Sequence, residues 1–81
     1  MPLSHADREM LWIDAWGDLY ELTHKERLTL VDEQGQEMDF EDCKERIQNR
    51  AYGGEATVFE RVWFEGSPAL RVSFRRVEAG S

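Results

Sequence analysis

The chain has 81 residues and a formal net charge of −7. This length predicts one domain, residues 1–81, and the acidic balance disfavours direct binding to nucleic acid. Hydrophobic residues make up 41% of the chain, which argues against an intrinsically disordered chain. The single cysteine, Cys43, excludes an internal disulfide. No apolar run approaches the roughly 20 residues of a membrane span, and the N-terminus does not resemble a leader. We therefore expect a cytoplasmic protein that does not enter membranes.

The charges are unevenly distributed along the chain. Residues 1–45 hold 13 acidic and 4 basic residues, whereas residues 46–81 hold 4 acidic residues and 6 arginines. The two halves could fold together and neutralise each other where they meet. Alternatively, they could present an acidic surface and a basic surface to different partners.

The first predicted helix runs from about His5 to about Leu22, with Ser4 as its N-cap and Asp7 in a capping-box relation. Its apolar residues recur at helical spacing and cover one wide arc. An arc this wide predicts a helix that is covered on more than one side. The arc contains Leu11, Trp12, Ile13, Ala15, Trp16, Leu19, Tyr20 and Leu22.

A hairpin and a second helix are predicted next. Residues 27–31 and 36–38 read as two strands joined by a turn at residues 32–35, and the second strand is polar and short, as at a sheet edge. Asp39 predicts the N-cap of a helix whose buried face carries Phe40, Cys43, Ile47 and Ala51. Gly53 and Gly54 end this helix.

The last third of the chain predicts a second hairpin. Residues 57–64 are rich in β-branched and aromatic residues and are apolar on both faces, which predicts a central strand. Residues 65–68 form the turn, and residues 69–77 return with alternating apolar and arginine positions. Residues 78–81 are expected to fray.

Together these elements predict an α+β domain of two layers. Two helices would pack on a four-stranded antiparallel sheet, in the order αββαββ. The predicted core consists of Trp12, Trp16, Leu19, Leu28, Leu30, Phe40, Ile47, Val62 and Phe74.

Residues that could carry chemistry are few, and we expect no catalytic residue, no cofactor and no metal site. Cys43 shares its face with Phe40 and Ile47, which predicts an inert core thiol. His5 and His24 have no ligand-type neighbours at helical spacing. Residues 32–35 fail as a calcium loop because the first ligand position would be Leu30. Paired carboxylates are typical of solvated helix exteriors.

Two surfaces could bind a partner. The first is an acidic stripe on the first helix, made of Asp7, Asp14, Asp18 and Glu21. The second is a hairpin face on which a three-residue turn, pairing residues 65 and 69, would collect arginine and aromatic side chains. A register shifted by one residue would instead bury Phe59 and Trp63. The residues of the expected face are Phe59, Arg61, Trp63, Arg71 and Arg75.

The leading functional hypothesis is a noncatalytic protein–protein interaction module that could form a homodimer, with the basic hairpin of one copy on the acidic helix of the other. The partner is then another protein or a second copy of the chain. The alternative is an acidic inhibitor that mimics nucleic acid, as in small phage-type decoy proteins. A further alternative is a small-ligand binder or enzyme, which would need a pocket with convergent polar groups.

Overall fold

A computed structural model describes residues 3–77 of the chain. The fraying expected for residues 78–81 lies outside the described residues. The structure is α+β, with two helices and one three-stranded sheet. No helix within residues 3–77 is long and apolar enough to cross a membrane. The elements are α1 (His5–Tyr20), a π-helical turn (Glu21–Lys25), β1 (Thr29–Val31), α2 (Phe40–Tyr52), β2 (Glu55–Phe64) and β3 (Ser67–Arg76).

Both helices begin at the predicted caps. Ser4 Oγ accepts a hydrogen bond from the backbone N–H of Asp7, and the Asp7 carboxylate accepts one from the N–H of Ser4. This capping box satisfies two backbone donors that have no partner within the helix. Asp39 caps α2 through its carboxylate, which accepts from the N–H of Glu41 at 3.1 Å.

The predicted four-stranded antiparallel sheet in the order αββαββ is wrong. The sheet has three strands in the order β1-β3-β2, with β1 parallel to β3 and β2 antiparallel to β3. The expected strand at residues 36–38 is reduced to one bridge between Val31 and Glu37. Asp39 already caps α2, so the chain turns into the helix before a strand can extend.

The hairpin of β2 and β3 turns through two residues instead of the expected three. Glu65 and Gly66 have φ values of 52° and 80°, and Phe64 pairs with Ser67. Two consecutive residues with positive φ form the turn that matches the twist of antiparallel strands. The pairing of Glu65 with Ala69 is therefore wrong, and every cross-strand partner in this hairpin differs from the expected one.

The strand predicted to be central is an edge strand. β2 pairs only with β3, which lies between β1 and β2. All ten residues of β2 pair with β3 in an unbroken register. One long side of β2 therefore has no neighbouring strand among the described residues.

The core lies between the helices and one face of the sheet. Its buried members include Leu19 of α1, Cys43 and Ile47 of α2, and Leu70 and Val72 of β3. Leu19, Cys43 and Ile47 are fully buried, as predicted. Leu30 is also buried, as predicted.

Other predicted core residues only border this cluster. Each is partly buried and packs against it: Trp12, Trp16, Leu28, Phe40 and Phe74. The prediction that Val62 belongs to the core is wrong, because Val62 pairs with Ala69 on the face of the sheet that points away from the helices. The core face instead carries Phe59, which pairs with Val72.

Candidate protein-interaction surface

The structure divides the predicted hairpin face between the two sides of the sheet. Antiparallel partners lie on the same face, so Phe59, Arg61 and Trp63 lie on the helix side with Val72, Leu70 and Pro68, their respective partners on β3. Arg71 and Arg75 lie on the open side, where they pair with Glu60 and Ala56. The expectation of one shared arginine–aromatic face is therefore wrong, because the hairpin turn sets a different register.

Two arginines of that set bind acidic residues of the same chain. Arg61 donates to the carboxylate of Glu26 at 2.6 Å. Arg71 donates to the carboxylate of Glu60 at 3.3 Å and to the backbone carbonyl of Glu33 at 3.3 Å. The ion pair of Arg61 with Glu26 joins the acidic half of the chain to the arginine-bearing half. This contact agrees with the hypothesis that the two halves fold together and neutralise each other where they meet. Exposed pairs such as these contribute at most about 1 kcal/mol each.

β2 carries apolar side chains on both faces, interrupted by Glu60 and Arg61, although it is an edge strand. Phe59 packs on the core, and Val58, Val62 and Phe64 lie on the open face. Val58 is 38% exposed. Trp63 belongs to the helix side but lies near the hairpin turn, where 75% of its surface is exposed.

The outer side of β2 presents backbone groups that pair with no strand of residues 3–77. The N–H of Val77 donates to the carbonyl of Gly54 at 2.9 Å, which extends the ladder with β3 past the start of β2. In an antiparallel ladder only every second residue exchanges hydrogen bonds with a given neighbour. The even-numbered residues of β2 thus bond to β3. They include Phe64, which lies next to the two-residue turn. The N–H and C=O groups of Thr57, Phe59 and Arg61 point away from β3.

The acidic stripe lies on the flank of α1 that faces away from α2. On one side of α1, Trp16 contacts Phe40 and Lys44 of α2. At 100° per residue, Asp7, Asp14 and Asp18 lie on the side of α1 opposite Trp16. Among the strands, α1 packs against β2. The three aspartates therefore lie on the flank of α1 that faces away from α2, about a quarter turn from the buried face of Ala15 and Leu19.

All four predicted acidic residues are exposed, Glu21 among them. Asp7 is engaged in the capping box. Asp14, Asp18 and Glu21 form no ion pair within residues 3–77. We define the acidic flank as Asp7, Asp14 and Asp18, with Glu21 continuing it into the π-helical turn.

Sequence reasoning missed an exposed apolar stripe on α1. Met10, Ile13 and Tyr20 are 53%, 54% and 49% exposed. Ile13 and Tyr20 were expected in the covered arc, but α2 and the sheet cover a narrower part of the helix. Gly17 lies on the same stripe, and a Cβ there would contact nothing within 4 Å. The sequence did contain a signal of this stripe, because Met10 and Gly17 interrupt the polar side of the helix.

An aromatic cluster extends from this stripe to the start of α2. The imidazole of His24 stacks on Tyr20 at 4.2 Å between ring centroids and meets Phe40 edge-on at 5.1 Å. Thr23 Oγ1 lies 3.1 Å from His24 Nδ1. These contacts place His24 as a packing residue of the cluster. His5 lies at the start of α1, 3.4 Å from the Glu9 carboxylate.

Cys43 has the environment of a core thiol. Its side chain is fully buried, and desolvation raises its pKa from 9.0 to about 12, despite the opposing effect of the nearby Arg46 guanidinium. A thiol with this pKa is almost entirely protonated near neutral pH and is a poor nucleophile.

The remaining polar groups of the described residues form no candidate metal site. Residues 3–77 contain no group of three or more His, Cys, Asp or Glu side chains placed to hold a metal ion. A surface depression of about 270 Å³ on the outer side of α2 is open to solvent and is lined by Glu41, Asp42, Lys44, Glu45 and Gln48. Asp32 forms the predicted turn, in which its carboxylate accepts from the N–H groups of Gln34 and Gln36.

No protein-family model matches the chain, and comparisons with curated proteins and with solved structures return no match.

Proposed function

We propose that this chain is a noncatalytic protein–protein interaction module and that its partner binds along the outer edge of β2. The observation that carries this proposal is that β2 combines the composition of a central strand with an edge position. Strands that are apolar on both faces are normally covered on both. An interaction partner would supply the missing neighbour.

β2 carries the charged residues Glu55, Glu60 and Arg61, but its outer edge lacks several other devices that prevent pairing between sheet edges. Such devices include very short edge strands, bulges, prolines and lysines. β2 is ten residues long, contains no proline or lysine, and keeps an unbroken register with β3. This supports an edge that remains open for a specific partner.

The exposed side chains next to this edge are suited to recognition. Trp63 is the most exposed of the large hydrophobic side chains in residues 3–77, and Val58 lies halfway along β2. A tryptophan on a protein surface is a frequent anchor of protein interfaces, where it fills a pocket of the partner. These two residues give the proposal its testable positions.

Affinity capture from cell extract with single and paired substitutions tests this proposal. We expect Val58→Lys combined with Trp63→Ala to reduce recovery of the main partner at least tenfold, because both residues would be buried at the interface. Ser73→Lys is the matched control, since Ser73 pairs with Val58 on the same open face but belongs to the central strand. Equal recovery of the partner by the double variant and wild type would contradict the proposal.

A nucleic-acid mimic is the second candidate function, because Asp14, Asp18 and Glu21 are exposed and have no ion-pair partner in residues 3–77. A mimic would bind a nucleic-acid-binding protein through these carboxylates. In the same capture experiment, added duplex DNA would then release the partner competitively, with a strong dependence on salt. Partner release by DNA and full recovery by the Val58→Lys, Trp63→Ala variant would favour the mimic over the module.

A further inference from the structure

We propose that β2 binds an extended, lysine- or arginine-rich segment of another protein, which adds as a fourth strand along the outer edge, beside the acidic flank of α1. This inference rests on the proposed function and names the chemistry of its partner. Two independent features of the molecule support it: the direction of the backbone groups of β2, and the position of carboxylates that form no ion pair with the described part of the chain.

The backbone of β2 supplies the affinity of this interaction. Thr57, Phe59 and Arg61 direct their N–H and C=O groups away from β3, as the ladder through Gly54 and Val77 requires. An extended segment can pair with these groups whatever its side chains are. Strand addition to an exposed sheet edge is a general mode of peptide recognition.

The acidic flank of α1 supplies the selectivity. Asp14 and Asp18 lie on the side of α1 opposite Trp16 and α2, and α1 itself packs against β2. Both aspartates are exposed without an ion-pair partner in residues 3–77. Side chains of an added strand alternate between the two faces of the sheet. Every second side chain of the segment would therefore lie on the helix side of the sheet, where lysine or arginine can reach these carboxylates.

The same charges decide against a second copy of the chain as the occupant. Two copies paired through β2 would be related by a two-fold axis perpendicular to the sheet, so both α1 helices would lie on the same side. Their acidic flanks would then face each other across the new strand pair. Like charges in this arrangement repel, whereas a basic segment is attracted.

Binding of a designed peptide to the whole chain tests this inference. The probe is a peptide as long as β2 that alternates lysine with threonine. One matched peptide carries N-methyl groups at every second residue, which removes backbone donors and keeps the charge. A second matched peptide replaces lysine by glutamate. Affinity is measured at low and high salt by fluorescence anisotropy, and the backbone contacts by amide hydrogen exchange.

We expect the lysine peptide to bind at low salt and the N-methylated peptide to bind at least tenfold more weakly. The bound lysine peptide should protect the amides of Thr57, Phe59 and Arg61, and should leave those of Val58 and Glu60 unchanged because these already bond to β3. Binding that is unaffected by N-methylation, or protection confined to α1, would overturn strand addition.

The role of the acidic flank is tested by neutralising it. Asp14→Asn with Asp18→Asn should weaken the lysine peptide about threefold to tenfold, which corresponds to two partly exposed ion pairs. Glu33→Gln with Glu37→Gln is the control, because it removes the same charge from exposed residues of the turn after β1 and of the segment before α2. Equal weakening by both pairs, or tight binding of the glutamate peptide, would overturn the assignment of a basic partner.

Failure of this inference is distinguishable from failure of the proposed function. If the lysine peptide does not bind while Val58→Lys with Trp63→Ala still reduces recovery of the natural partner at least tenfold, the module stands and the chemistry assigned to its partner is wrong. If capture is also unaffected, both proposals are wrong.

Discussion

The thiol of Cys43 is fully buried, and burial raises its pKa from 9.0 to about 12. We expect iodoacetamide to modify it slowly in the folded chain and quickly in urea, because only the thiolate reacts. The pKa is higher in the folded state than in the unfolded state, so the contribution of the protonated thiol to stability is complete below pH 9.0. That contribution is lost as the pH rises towards about 12.

Urea unfolding of wild type and Cys43→Ala at several pH values measures this effect. The stability advantage of wild type over the variant should be constant below pH 9.0 and decrease above it. Rapid stoichiometric alkylation of the folded chain at neutral pH would show that Cys43 is accessible and would reopen a redox or catalytic role.

The burial of individual residues was predicted well on α2 and less well on α1. On α2, Cys43 and Ile47 occupy a narrow face that can only be covered by one neighbour, and both are buried. On α1 the apolar arc is wide, and the sequence does not indicate which part of the arc α2 and the sheet cover. Ile13 and Tyr20 are about half exposed for this reason, and Trp12 and Trp16 are only partly buried.

At the level of elements, the two-residue turn fixes the faces of the β2–β3 hairpin. Gly66 has a φ of 80°, and a Cβ at this position would contact nothing within 4 Å. Gly66→Ala should therefore destabilise the fold by about 1 kcal/mol through backbone strain alone. Glu65 has a φ of 52°, so Glu65→Asn should stabilise the fold by less than about 1 kcal/mol, since asparagine tolerates this conformation.

Denaturant midpoints of the two variants and of Glu65→Gln measure these effects. Glu65→Gln is the control because it removes the charge and keeps the backbone preference of a long, unbranched side chain. A Gly66→Ala variant as stable as wild type would show that the turn is not formed by Glu65 and Gly66. The cross-strand pairing, and the division of Arg61 and Arg71 between faces, would then be incorrect.

The helices and the last hairpin could be predicted because their signals are local. Ser4 with Asp7, and Asp39 before Phe40, are capping patterns that need no tertiary information. The pairing of β1 with β3 is not local, because about 40 residues separate the partners Leu30 and Leu70. The edge position of β2 follows from that pairing, so the main candidate surface could not be predicted from sequence.

At the scale of the whole molecule, the charge asymmetry of the sequence is only partly neutralised. Arg61 joins Glu26 across the two halves, whereas Arg50 and Glu55, 3.2 Å apart, both belong to residues 46–81. No basic side chain within residues 3–77 forms an ion pair with the acidic flank of α1. The arginine hairpin proposed to contact this flank in a homodimer already uses Arg61 and Arg71 for bonds within the chain.

Self-association should therefore be weak, and it should respond to salt in a direction that identifies its cause. We expect sedimentation equilibrium to give the monomer mass of 9.5 kDa at low ionic strength. The acidic flanks repel most strongly there, because the Debye length is about 30 Å at 0.01 M salt. Screening by salt, or Asp14→Asn with Asp18→Asn, should favour dimers formed through β2. A dimer that is strongest at low salt and is weakened by Arg75→Glu would instead support contact between a basic hairpin and an acidic helix, because attraction between opposite charges is what salt screens.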